Sequence, residues 1–214
     1  MNFLAHVFLA NGDPDAIVGQ LCGDFVRGSQ LHGYPQAIVH GIHVHRAVDS
    51  FTDQHPLNRQ ARGLFESPYR RFAGIICDVV YDHFLALDWD QHCDMPLPEY
   101  AALVDESLLR QSHVLPQRLV NFMPYLRSEK ILQSNSDPSH IDLTLERIAG
   151  RRKSMAPLAS ASTVLWQHRD PLHEIFRQFF PELIQHTREV QQQLRNEDPP
   201  VAVTGTGHFG SARD

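Results

Sequence analysis

The sequence predicts an all-α protein, a single-domain helical bundle, and three observations carry that prediction. Strand signals are almost absent. Apolar residues recur at the i, i+4, i+7 spacing that lines one face of a helix. The breaks between apolar segments are helix-start and helix-stop clusters built from Asn, Asp, Gly and Pro. No period of 20–50 residues repeats and no low-complexity tract interrupts residues 1–195. The chain has 214 residues, is 42% hydrophobic and carries a net charge of −6, which excludes a disordered protein and leaves ample material for a core.

The elements follow in order. Segment 2–10 is apolar and stops at Asn11-Gly12-Asp13-Pro14. A second apolar pattern runs from Asp15 to Val26 and ends at Gly28. From Gln36 to Asp53, Val44, Val48 and Phe51 mark one helical face. Phe72, Ile76, Val79, Val80, His83 and Ala86 form a longer stripe, with Ser67-Pro68 expected as cap and first turn. Further helices are expected near 98–110, 116–133, 140–162 and 171–194, the last opening at Asp170-Pro171 with a kink expected at Pro181. Residues 196–214 turn to Pro, Gly, Thr and Asp without periodicity, the composition of a disordered tail.

Several classes are excluded. Cys22, Cys77 and Cys93 contain no C-x-x-C pair, which rules out a disulfide scaffold and the common zinc-finger patterns. No run of 18 apolar residues exists. The start lacks a basic n-region and carries His6 within its apolar stretch, unlike a signal peptide, so a cytoplasmic protein is expected. H-E-x-x-H, G-x-S-x-G, the P-loop and G-x-G-x-x-G are all missing. Net charge and the lack of interleaved basic and aromatic residues argue against nucleic acid.

The 14 histidines remain to be explained, eight of them before residue 93. In GIHVHRAVDSFTD, with His43 at zero and about 100° per residue, Val44, Ala47, Val48 and Phe51 fall between about 40° and 140°. His43 then borders the apolar face, while His45 points well away, so His43 is the expected site residue of the pair. The plain alternative is a solvated face with ion pairs such as Arg46–Asp49. In CDVVYDHFLALDW, Asp78 and Asp82 lie four apart beside an apolar stripe, too far from that helix's own start to cap it. Two such carboxylates are costly to bury unless a cation lies between them, and a divalent metal supplies one. Asp24, followed by Arg27, sits in GQLCGDFVRG, and His6 in NFLAH; each also reads as an ordinary ion pair or core histidine. Together His6, Asp24, His43, Asp78, Asp82 and His83 come from four helical segments, as a metal centre in a bundle does.

MNFLAH, GDFVRG, GIHVHRAVDSFTD and DVVYDHFLA, in this order and spacing, resemble the bacterial acyl carrier protein phosphodiesterases, or holo-ACP hydrolases, from Met1 to about Arg195. The resemblance implies an all-α enzyme related to the HD-type metal phosphohydrolases. Such enzymes remove 4′-phosphopantetheine from the serine of holo-acyl carrier protein with Mn²⁺ as the preferred metal; for this chain Mn²⁺ is expected, with Mg²⁺ as the alternative. Here the adjacent pair is Asp82-His83, the reverse of the HD order, so that class's ligand assignment does not transfer by motif. On this resemblance Asp24, Asp78 and Asp82 are expected as anionic ligands, with His6 and His43 completing or flanking the site. His83 is expected as general acid or further ligand, Asp24 as a catalytic group, and Arg46 or Arg27 as partner of the phosphoryl charge.

Acyl carrier proteins are acidic, so an acidic enzyme needs a local basic patch to dock one. Two clusters offer it: Arg62, Arg70 and Arg71, and Arg147, Arg151, Arg152 and Lys153, unless these are merely solvated helix ends. Two competing readings are a phosphohydrolase of small phosphodiesters and a helical binding protein whose Asp and His faces are structural.

Overall fold

The computed structural model describes residues 1–28 and 31–197. Among them are eleven α-helices and no strand: α1 (Phe3–Leu9), α2 (Pro14–Cys22), α3 (Gln36–Gln54), α4 (Pro56–Gly63), α5 (Ala73–Leu87), α6 (Leu97–Arg110), α7 (Gln117–Ser128), α8 (Ile131–Ser134), α9 (Pro138–Ala149), α10 (Ala161–Gln167) and α11 (Arg169–Glu197). The fold is all-α, as the sequence predicts. No helix among the described residues is long and apolar enough to cross a membrane.

Helix starts follow local chemistry. Asp13 Oδ1 accepts the N–H groups of Asp15 at 3.0 Å and Ala16 at 2.9 Å, and Pro14 fills the first turn of α2. Asp137 and Pro138 do the same for α9, with Ser139 N–H at 2.9 Å. α2 and α3 then pack backbone to backbone. A Cβ added to Gly19 would meet Ile38 O at 2.5 Å and Gly41 Cα at 2.6 Å, so no larger residue fits at that crossing. α11 closes the bundle over α3, α4 and α5, burying Phe176 and Phe179 against Tyr81 and Phe84, and Phe180 against Phe8 of α1. Seven-residue α1 is too short to hold alone. It sits between α2 and α5 with Leu4, Ala5 and Val7 fully buried, each leucine-sized side chain contributing about 1.5–3 kcal/mol.

Four boundaries and one whole helix differ from expectation. Ser67-Pro68 does not cap α5: a 3-10 turn over Arg70–Phe72 intervenes and α5 opens at Ala73. The helix expected over 116–133 is divided at Lys130, whose φ of 48° is left-handed, and the one over 140–162 is divided by Gly150 and a 3-10 segment, Lys153–Ser160, containing Pro157. α4 has no apolar periodicity because its inward face is Asn58 and Ala61. Finally, α11 continues through Pro181 and on through Glu197, past the expected tail boundary at 196, and residues 198–214 lie outside the described residues.

Candidate metal centre

The centre is built where α1 enters the bundle. Asn2 makes no capping bond, and a buried aspartate from α5 does the work instead: Asp82 Oδ2 accepts Leu4 N–H at 2.7 Å and Oδ1 accepts Ala5 N–H at 3.0 Å. Burial pushes the Asp82 carboxyl up to about 7, although these two N–H groups pull the other way. Asp82 therefore acts across space as the cap of α1, which its mid-helix position in α5 gave no reason to expect. One turn along, the pinned helix presents His6 to α3.

The His6 ring stacks on that of His45, centroids 3.9 Å apart and planes 19° from parallel. His6 Nδ1 stands 3.1 Å from Gln20 Oε1; with the amide in this orientation the ring N–H donates there and the lone pair falls on Nε2. No hydrogen bond reaches that buried Nε2, although Asp49 Oδ1 is 3.2 Å away. His45 Nε2 lies 3.2 Å from Asp49 Oδ2 and 3.7 Å from Asp24 Oδ1. Two imidazole nitrogens and a carboxylate thus bring one ligand atom each within 4.8 Å of one another. A bare nitrogen lone pair facing a carboxylate is repulsive unless a cation stands between them. Burial holds the His6 imidazolium down, with Asp49 opposing and the neighbouring His45 and Met1 amino group adding to burial, so a proton is the poorer candidate for that cation.

Asp49 shows the same balance from the other side. Burial alone would raise its carboxyl; without a metal, protons shared with His45 and His6 and the Met1 amino group outweigh burial and hold it well below the usual carboxylate range, and a bound cation would supply that positive charge in the protons' place. The Met1 amino group lies 3.4 Å from Asp49 Oδ1 and 3.2 Å from Asp78 Oδ1. The half-buried Asp78 carboxyl is raised by desolvation and by crowding from Asp49 and Asp53, with the amino group opposing.

The structure brings together His6, Asp24, Asp78 and Asp82 of the expected residues, but it reverses the His-x-His pair. His45 is buried, and His43 is exposed on the opposite side of α3. Ile38, Gly41, Ile42 and Thr52, as well as Val44 and Val48, turn inward and centre the buried face near His45. His83 is directed elsewhere: its Nδ1–H donates to Asn135 O at 2.7 Å and its ring meets Trp166 edge-on. Arg46 is a strut, donating to Val26 O at 3.3 Å and Gly28 O at 2.8 Å. Arg27 is exposed. Asp49, central here, was legible only as the i+4 companion of His45 on one helical face. Gln20, the residue that fixes the His6 tautomer, carried no sequence signal.

A cavity of about 640 Å³ opens beside the centre, from Met1, Asp24 and Phe25 past α7 to Arg118, Arg147 and Arg151. Arg147 is held by Glu129 at 2.9 Å and lies over the Tyr125 ring. In the first basic cluster, Arg62 donates to Asp53 O and Arg70 to Arg62 O. Arg71 donates to Ser154 O at 3.1 Å, next in the chain to the exposed Arg152 and Lys153.

A family profile described as "Acyl carrier protein phosphodiesterase" matches residues 1–183. A protein of that name from Yersinia enterocolitica is 38% identical over 192 residues, covering 89% of this chain and 100% of the relative. One from Escherichia coli O6:H1 is 38% identical over 186 residues, covering 86% and 96%. No solved structure matches the chain.

Proposed function

The chain belongs to the acyl carrier protein phosphodiesterase family, and from that premise we propose that it releases 4′-phosphopantetheine from the serine of holo-acyl carrier protein, using a divalent metal, Mn²⁺ by preference. The observation that carries the metal is the buried, unpartnered Nε2 of His6 facing Asp49. Imidazole nitrogen with carboxylate oxygen suits Mn²⁺, and Mg²⁺ less well because it favours oxygen alone. His6, His45 and Asp49 would hold the ion, with Asp24 and Asp78 beside them. Bound there, such an ion supplies Lewis-acid charge and a water of lowered pKa.

The protein's own groups do the rest. Gln20 fixes the tautomer of His6, and Gly23 lets the His45 ring lie against the backbone. Asp24, half-exposed between the centre and the cavity, orients the attacking water in line with the serine oxygen that leaves. Asp82 keeps α1, and so His6, in register. Arg46 holds the 26–28 turn that follows Asp24, and His83 braces α5 against α8; neither takes a chemical step in this scheme. The carrier protein docks on the basic surface of Arg118, Arg147 and Arg151 at the cavity with Arg152, Lys153 and Arg71 alongside, where local positive charge offsets the net charge of −6.

The test is to incubate the protein with holo-acyl carrier protein and Mn²⁺ and weigh the carrier by mass spectrometry. A carrier lighter by the phosphopantetheine group, with no change in a chelator control, is expected. An unchanged mass beside a working control enzyme would sink the proposal.

A further inference from the structure

We infer that the aromatic wall of the cavity beside the metal centre, formed by Phe3, Phe25 and Phe122, seats the pantetheine arm, so that the arm is recognised as well as the carrier protein. The inference rests on the proposed function and adds a binding site for the arm's amide-linked aliphatic chain. Phe122 of α7 is the centre of the wall, with its ring 5.2 Å from that of Phe3, 5.9 Å from Phe25 and 5.5 Å from Tyr125. Phe3 opens α1, three residues before His6, and Phe25 directly follows Asp24. Two of the segments that deliver side chains to the centre therefore also deliver two rings of the wall, and α7 adds the third.

The wall's chemistry matches the arm. Beyond the phosphate the arm is a geminal dimethyl group, a hydroxyl, short methylene runs, two amides and a terminal thiol, without a fixed charge. The cavity offers apolar rings next to the centre, and Asn121 and Thr144 as neutral hydrogen-bonding partners further along. Its volume of about 640 Å³ falls within the range of about 300–1,000 Å³ for small-molecule sites, which suits an arm and not a helix of the carrier. The cations Arg118 and Arg151 are exposed and face an acidic protein surface better than a neutral arm. Arg147 is already engaged by Glu129 and Tyr125.

The experiment uses the full chain with Mn²⁺ and three probes: holo-acyl carrier protein, bis(p-nitrophenyl) phosphate as a diester without the arm, and free pantetheine as an uncharged competitor. In Phe122→Ala, KM for the holo-carrier should rise about tenfold and inhibition by pantetheine should weaken by a similar factor, the scale of one lost aromatic contact. Hydrolysis of the armless diester should stay within about twofold of wild type. Phe122→Leu, a milder change that keeps the wall apolar, should fall between, and it carries the test if the alanine variant does not fold. Equal losses on both substrates, or pantetheine inhibition unaltered by either variant, would overturn the inference. So would a wild-type enzyme that cleaves holo-carrier and ignores pantetheine, which would leave the proposed function intact. A wild type that binds pantetheine through Phe122 yet leaves holo-carrier untouched would instead overturn the function.

Discussion

Gly23→Ala tests the centre without removing any ligand. A Cβ at that position would lie 2.2 Å from His45 Cγ, 2.3 Å from Cδ2 and 2.7 Å from Nδ1, whereas ordinary contact begins at 3.4 Å. The ring must therefore retreat by more than about 1 Å, and misplacement on that scale costs about 100-fold in catalysis. It has nowhere easy to go, since the His6 ring is stacked 3.9 Å away and the residue is 3% exposed. Overpacking of this kind also costs about 1–3 kcal/mol of stability, so the variant should fold with a lower melting temperature. The assay is kcat/KM for holo-acyl carrier protein at saturating Mn²⁺, with Mn²⁺ affinity read by electron paramagnetic resonance and folding by thermal melting. A folded variant with wild-type affinity and activity would refute the placement of His45 in the centre.

Other outcomes follow from the same geometry. His45→Ala should abolish tight Mn²⁺ binding, whereas His43→Ala, at an exposed position, should leave metal affinity unchanged and stability within about 0.5 kcal/mol; paired Mn²⁺ titrations and melts decide. The Asp82 carboxyl, held up at about 7 against 3.8 for an ordinary aspartate, keeps a proton in the folded protein that the unfolded chain releases. Its contribution to stability is full below about pH 4 and is lost as pH rises through about 7, so urea midpoints of metal-free Asp82→Asn should show a smaller decline across that window. Identical pH slopes in the two proteins would count against the buried cap. Phe176→Ala, at a fully buried site against Tyr81, Phe84 and Phe180, should cost about 3–5 kcal/mol by denaturant titration without altering Mn²⁺ affinity.

The helical class was legible because periodicity and punctuation are local, and both survive folding in α2, α3, α6 and α11. What failed to show were features set by neighbours in space. α4 escaped notice because Asn58 is buried for its hydrogen bonds, donating to Thr52 O at 2.8 Å and accepting from Tyr81 O–H at 2.9 Å. The His43/His45 choice turned on which residues of α3 face α2. The apolar set Val44, Ala47, Val48 and Phe51 favours His43 in the sequence, while the Gly19–Gly41 crossing turns the helix so that His45 lies inside. Asp82 looks in the sequence like half of a carboxylate pair because the helix it caps, α1, is its neighbour in space and not its own. The structure sets His6 and Asp24 beside His45 and Asp49, and the four-residue spacing of His45 and Asp49 is the sequence signal for that pair.

Anomalous diffraction at the manganese edge from crystals equilibrated with Mn²⁺ tests the central claim most directly. The account predicts one strong peak within coordination distance of His6 Nε2, His45 Nε2 and the Asp49 carboxylate, and its disappearance in Asp49→Ala. An active enzyme whose manganese peak lies elsewhere, with His6 and His45 free of metal, would contradict it.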